Sequence, residues 1–212
     1  MSYTKKIYRT KNGIDVEEMH TYRYPSPGAK REKKKKATPE QMAKVNQKNK
    51  EKKCRRKLMQ YFSEGDYFTC LTYQKENRPQ DMKDAKKDFS DAMKVIRREY
   101  KKRGEQVRWI RNIEVGTRNA WHVHLVINRI QDTDLILRKA WSKGKVINQL
   151  LYERGGFRNL AAYITKTPQT DKRLRETSYS TSRNLPLPEP ERKVYIRWKT
   201  CNKIRIPKGY YV

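Results

Sequence analysis

Apolar residues recur along this chain with two periods, and the switches between them mark out its elements. Over Tyr67-Phe68-Thr69-Cys70-Leu71-Thr72-Tyr73, aromatic and β-branched residues predominate, as in a strand lying inside a sheet. From about residue 79 to 103 the period lengthens: Met82, Ala85, Phe89, Met93, Ile96 and Tyr100 stand three and four apart, predicting an amphipathic helix. Asp81, Asp84 and Asp88 near its start and basic residues near its end suit the helix dipole, and Gly104 stops it. Residues 107–115 and 121–129 then alternate on either side of Gly116-Thr117-Arg118-Asn119, which predicts a hairpin. A helix over 133–142, a strand over 145–152 and a helix over 157–166 follow. The last carries Phe157, Leu160, Ala161 and Ile164 as one stripe and is closed by Pro168.

The two ends read differently. Residues 1–37 show no sustained period and finish in a run of lysines, so they are expected to form a largely disordered basic arm. Thr38-Pro39-Glu40-Gln41 has the form of a capping box with proline in the first turn, predicting a helix to about Phe62. Its apolar positions are sparse. Residues 30–57 hold 14 Lys or Arg against three Glu, which gives either a solvated face or a lever on nucleic-acid phosphates. The candidate phosphate contacts are Lys33, Lys34, Lys35, Lys36, Lys52, Lys53, Arg55, Arg56 and Lys57, with Arg183 further along. Residues 191–212 alternate basic and apolar, fitting either a last strand pair or a DNA-contacting tail. The expected organisation is an arm over 1–65, an α+β domain over 66–190 and a tail over 191–212.

Charge narrows the partner. With 52 Lys and Arg against 23 Asp and Glu, a net charge of +29 points to a nucleic acid. No apolar run reaches the ~18–20 residues that span a bilayer, so no membrane is expected, and the start lacks the apolar core of a leader. Three widely spaced cysteines fit a reducing cytoplasm and no zinc finger. No GxxxxGK[ST] loop occurs, so no fused helicase is expected.

The candidate chemistry sits on the hairpin. His122 and His124, two apart in a strand, share a face, and the hairpin brings Glu114 beside them. A histidine pair on a strand is as readily a solvated face; the adjacent acid turns it into a candidate divalent-metal site. Two imidazoles and one carboxylate suit Mn²⁺ better than Mg²⁺, and in other folds hold iron in oxygenases. Tyr163 lies off the centre of its helix stripe with Lys166 three residues on, which marks it as the candidate nucleophile among 14 tyrosines.

The order FTCLTY (68–73), Glu114 with His122-Val123-His124, and Tyr163-Ile164-Thr165-Lys166 resembles the three motifs of the HUH endonuclease superfamily. Within it the chain is most similar to single-tyrosine rolling-circle replication initiators of plasmids, phages and mobile elements of Gram-positive bacteria. Cys70 departs from the usual residues of the first motif. The resemblance covers roughly 38–190 and implies a ferredoxin-like or RRM-like α+β fold, a central antiparallel sheet with helices packed on it. It also implies metal-dependent nicking and rejoining of single-stranded DNA through a 5′-phosphotyrosyl link, with Lys166 countering charge. Partners would be the replication origin and a host helicase and polymerase, in the bacterial cytoplasm. A transposase with the same chemistry and a non-catalytic nucleic-acid-binding protein are the alternatives.

Overall fold

The computed structural model describes residues 2–21, 36–116, 119–152, 156–166, 179–201 and 208. In chain order the elements are β1 (Ser2–Thr10), β2 (Gly13–Thr21), α1 (Pro39–Tyr61), β3 (Tyr67–Thr72), α2 (Met82–Lys102), β4 (Trp109–Gly116) and β5 (Ala120–Ile127). There follow α3 (Thr133–Ala140), β6 (Val146–Leu150), α4 (Arg158–Thr165), β7 (Tyr179–Thr181), β8 (Glu191–Tyr195) and α5 (Trp198–Cys201). The fold is α+β, with five strands in the antiparallel order β6-β3-β5-β4-β7 and three in the order β2-β1-β8. The histidine strand β5 is the middle of the larger sheet, as expected.

Strand alternation gives the larger sheet two covered faces. Leu71, Ile113, Val123 and Leu125 point to one, where the apolar sides of α2 and α3 meet them. Asp81 caps α2 by accepting from the Asp84 N–H at 2.8 Å, three residues later than the sequence placed the start. On the other face Ile110 and Val126 pack against Cys54 and Leu58 of α1, Phe62 at its end, and Phe157, Ala161 and Ile164. Toward the β4–β5 turn this second cover gives out, and Glu114 and His122 are only half-buried. Gly144 is required by close approach, since a Cβ there would lie 2.2 Å from the Thr72 carbonyl oxygen.

The N-terminal expectation is overturned in part. Residues 2–21 are not a disordered arm but the hairpin β1–β2, completed by β8. Its docking onto α1 rests on charge: Arg56 binds Asp15 at 2.7 Å and Glu17 at 3.2 Å, Arg55 binds Asp15 at 3.0 Å, and Lys52 binds Glu17 at 2.6 Å. The Arg56 guanidinium also covers the Tyr8 ring at 3.5 Å. A hairpin held this way carries little hydrophobic alternation, so periodicity does not announce it. Nor is α1 a lever apart from the domain, because Cys54, Leu58 and Met59 are buried with the sheet. The capping box forms as predicted, Gln41 N–H donating to Thr38 Oγ1 at 3.2 Å and Thr38 N–H to Gln41 Oε1 at 3.0 Å. Of the two readings of 191–212, residues 191–195 form a strand; most of the remainder lies outside the described residues. No helix among the described residues is long and apolar enough to cross a membrane.

Candidate active site

Register in the larger sheet assembles the site. Glu114 pairs with His122 across β4 and β5, Asn112 pairs with His124, and Cys70 of β3 pairs with His124 from the opposite side. All therefore share the face that α1 and α4 cover incompletely. One ligand atom each from Glu114, His122 and His124 lies within 4.8 Å of the others. Glu114 Oε2 is 3.6 Å from both His122 Nε2 and His124 Nε2. That is beyond a good hydrogen bond, and it is close to the spacing of ligand atoms that each sit ~2.0–2.2 Å from one metal ion. His122 Nδ1 faces the Ala120 carbonyl at 3.0 Å, which fixes the proton there and leaves the Nε2 lone pair directed at Glu114. Asn112 Nδ2 donates to Glu114 Oε1 at 3.0 Å, so Oε2 is the oxygen presented to the histidines. Burial alone would push the Glu114 carboxyl up, but the flanking imidazoles outweigh it and hold it down at about 2. Glu114 in turn raises His122. The donor set fits a divalent cation with mixed nitrogen and oxygen preference.

Tyr163 projects from α4 into the same place. Ala161, Ile164 and Thr165 are buried while Tyr163 is 44% exposed, as its position off the stripe predicts. Its Oη lies 2.9 Å from His124 Nε2. Phe68 stacks on the His124 ring at 5.5 Å and meets the Tyr163 ring edge-on at 6.0 Å, so one aromatic side chain orients both. Burial, then the charges of Glu114 and Cys70, raise the Tyr163 hydroxyl above its ordinary value of 10.0. The helix is set by Phe157, which adopts a left-handed φ of 40° immediately before it while fully buried. Arg55 Nε donates to the Gly156 carbonyl at 2.9 Å and ties that turn to α1.

Lys166 is placed less simply than the spacing implies. The helix ends at Thr165, and Lys166 is its cap, the N–H reaching the Tyr163 carbonyl at 3.2 Å. Its side chain is exposed at the rim, and its own carbonyl accepts from Asn112 Nδ2 at 3.4 Å. The rival tyrosines are elsewhere engaged or open: Tyr179 is pushed up by burial beside Cys54, and Tyr152 stands exposed past β6.

The candidate phosphate contacts separate into groups. Lys33, Lys34 and Lys35 lie outside the described residues, and Lys36 is exposed just before α1. Lys52, Arg55 and Arg56 face the acids of the hairpin, and Arg56 is only 7% exposed. These pairings, not phosphates, are their partners in the folded chain. Lys53 and Lys57 lie on the opposite side of α1, lining a groove. Arg183 follows β7 and lines a separate groove with Arg97 and Lys101. Sequence reasoning missed Asn112 and Phe68, although both fall on the histidine face by strand alternation alone. It also set Cys70 aside, and Cys70 sits beside His124 with its thiol raised by burial and by Glu114.

Residues 66–168 match a family of replication-associated proteins, the one described by its ORF2 member. The matched stretch holds Glu114, His122, His124 and Tyr163, and it supports a replication-associated protein that contacts DNA. No curated protein and no solved structure matches the chain.

Proposed function

We propose that this chain is a replication initiator that nicks and rejoins single-stranded DNA through Tyr163, with Lys166 at the rim and a divalent cation, Mn²⁺ or Mg²⁺, at Glu114, His122 and His124. The observation that carries this reading is the 2.9 Å contact between Tyr163 Oη and His124 Nε2, which puts the one candidate nucleophile against the candidate metal cluster. Tyr163 Oη attacks the phosphorus of a phosphodiester, the bond from phosphorus to the 3′-oxygen breaks, and the 3′-oxygen leaves as a hydroxyl. The new phosphotyrosyl bond stores the energy of the old one, so the strand can be rejoined without a nucleotide cofactor.

A tyrosine with a pKa near 10 is about one part in a thousand phenolate at pH 7, a deficit of roughly 4 kcal/mol, and the raised hydroxyl here widens it. The cation would supply charge to a phosphate oxygen as negative charge builds up. Nε2 of His124 has one lone pair, so Tyr163 gives up its hydrogen bond when His124 serves as a ligand and is free to meet the strand. Lys166, exposed at the end of α4, is in position to counter phenolate or phosphate charge. With no Walker loop, strand separation and synthesis fall to a host helicase and polymerase.

Replacing Tyr163 by Phe removes one oxygen and keeps the ring that packs on Phe68. Cleavage of a single-stranded origin oligonucleotide and the covalent protein–DNA adduct are both expected to vanish, with binding retained. Mass spectrometry of the trapped wild-type adduct should place the nucleotide on the peptide containing Tyr163. An adduct on Tyr152 or Tyr179, or cleavage by the Phe variant, removes Tyr163 from this role.

A further inference from the structure

Helix α1 presents two chemically opposite sides. On one, Lys48, Lys52, Arg55 and Arg56 line a cavity with Asp15, Glu17 and Glu18. On the other, Lys50, Lys53 and Lys57 line a groove of about 550 Å³ whose far wall is Tyr179, Thr181, Leu185, Pro186 and Leu187. That groove holds no carboxylate. Asn46 and Asn49 complete its helix side with amide donors.

We propose that this groove binds the phosphate backbone of single-stranded DNA leading to Tyr163; the inference rests on DNA being the substrate. Lys50, Lys53 and Lys57 fall at i, i+3 and i+7 on one helix face and span ~10 Å at ~1.5 Å rise per residue. That is room for about three phosphates at the ~3.4 Å spacing of a stacked strand. None of the three meets a carboxylate among the described residues; Lys57 donates to Thr181 Oγ1 at 2.8 Å and Lys50 lies 5.0 Å over the Tyr179 ring. Burial lowers the affinity of Lys50 and Lys57 for their protons, a cost that an arriving anion relieves. The opposite wall is apolar, with Leu187 41% exposed, and gives unpaired bases a surface that a duplex, with its base faces stacked, would not use.

The groove runs to the candidate active site. One turn from Asn46 and Lys50, Gln47 Nε2 donates to the Thr165 carbonyl at 3.1 Å, two residues beyond Tyr163. On the other wall Tyr179 pairs in register with Asn112, which holds Glu114. Both walls lie outside residues 66–168, so the groove is built by the segments flanking the family match.

The test measures binding of a labelled single-stranded oligonucleotide by anisotropy across a salt series, using the full-length Tyr163→Phe chain in EDTA so that cleavage plays no part. In that background Lys50→Gln/Lys53→Gln is compared with Lys83→Gln/Lys87→Gln, which removes the same charge from an exposed side of α2. The groove pair should flatten log K against log salt by about 1.4, at ~0.7 per phosphate contact, with the α2 pair leaving the slope unchanged. Equal loss from both pairs, or none from the groove pair, overturns the proposal. Leu187→Ser should weaken binding without moving the slope, and unchanged affinity overturns the single-strand assignment. Circular dichroism verifies that each variant is folded. If wild type binds through the groove yet never nicks, the nickase reading fails alone; if it nicks while the groove pair binds as wild type, the groove fails alone.

Discussion

At the scale of single residues, the site depends on which oxygen of Glu114 faces the histidines, and Asn112 decides that. Asn112 is fully buried and its Nδ2 joins the carboxylate to the carbonyl of Lys166, linking β4 to the end of α4. Replacing it with Ala should lower Mn²⁺ affinity by about 10–100-fold, the usual cost of losing a group that orients a ligand, while Glu114→Ala should abolish binding. Calorimetric titration with Mn²⁺ reads both, and an Asn112→Ala chain that binds as wild type would remove the positioning role. The three candidate ligands were legible in the sequence because strand period and hairpin pairing are local and fix relative positions over a few residues. Tyr163 was legible because the stripe leaves it outside. Lys166 was only half legible: the i+3 rule assumes a helix that continues, and this one stops at Thr165.

At the scale of elements, the hairpin–α1 joint is the part that hydrophobic patterning could not reveal. Its contacts are Asp15, Glu17, Lys52, Arg55 and Arg56, and in a chain with 52 basic residues nothing local separates a cation held by acids from one awaiting phosphate. Only the segment lying across each face sorts them. Arg56→Ala should destabilise the protein by about 3 kcal/mol, since it leaves two half-buried carboxylates facing an empty space. Urea unfolding measures this, and a loss under about 1 kcal/mol, the range of an exposed pair, would mean the joint is solvated. Burial raises the Glu17 carboxyl, but Lys52 and then Arg56 more than offset that and hold it below its ordinary 4.5. A depressed carboxylate contributes stability that is complete above pH 4.5 and is lost as pH falls through the folded value. Glu17→Gln should flatten this acid limb of the stability curve.

For the whole molecule, the extent of the family match and the extent of the folded unit differ. Residues 66–168 contain the candidate catalytic groups, yet one of their two cores is completed by Cys54, Leu58, Met59 and Phe62 from α1 and its end, and by Leu185 beyond β7. A chain beginning at residue 66 should therefore lose cooperative thermal unfolding and near-ultraviolet dichroism, whereas a deletion of residues 1–21 should keep both at a lower midpoint. Retention of a sharp transition by the shorter chain would show that the second core is dispensable.

The unequal neutralisation of α1 has a consequence for encounter. A uniformly cationic helix would attract a polyanion from any direction and hold it in any orientation. Because the hairpin acids quench one side, the field around α1 is lopsided, and a diffusing strand is drawn toward the side that carries Lys50, Lys53 and Lys57. Orientation is then selected before contact, and the acids of β2, remote from any chemistry, act as a rudder for the approach.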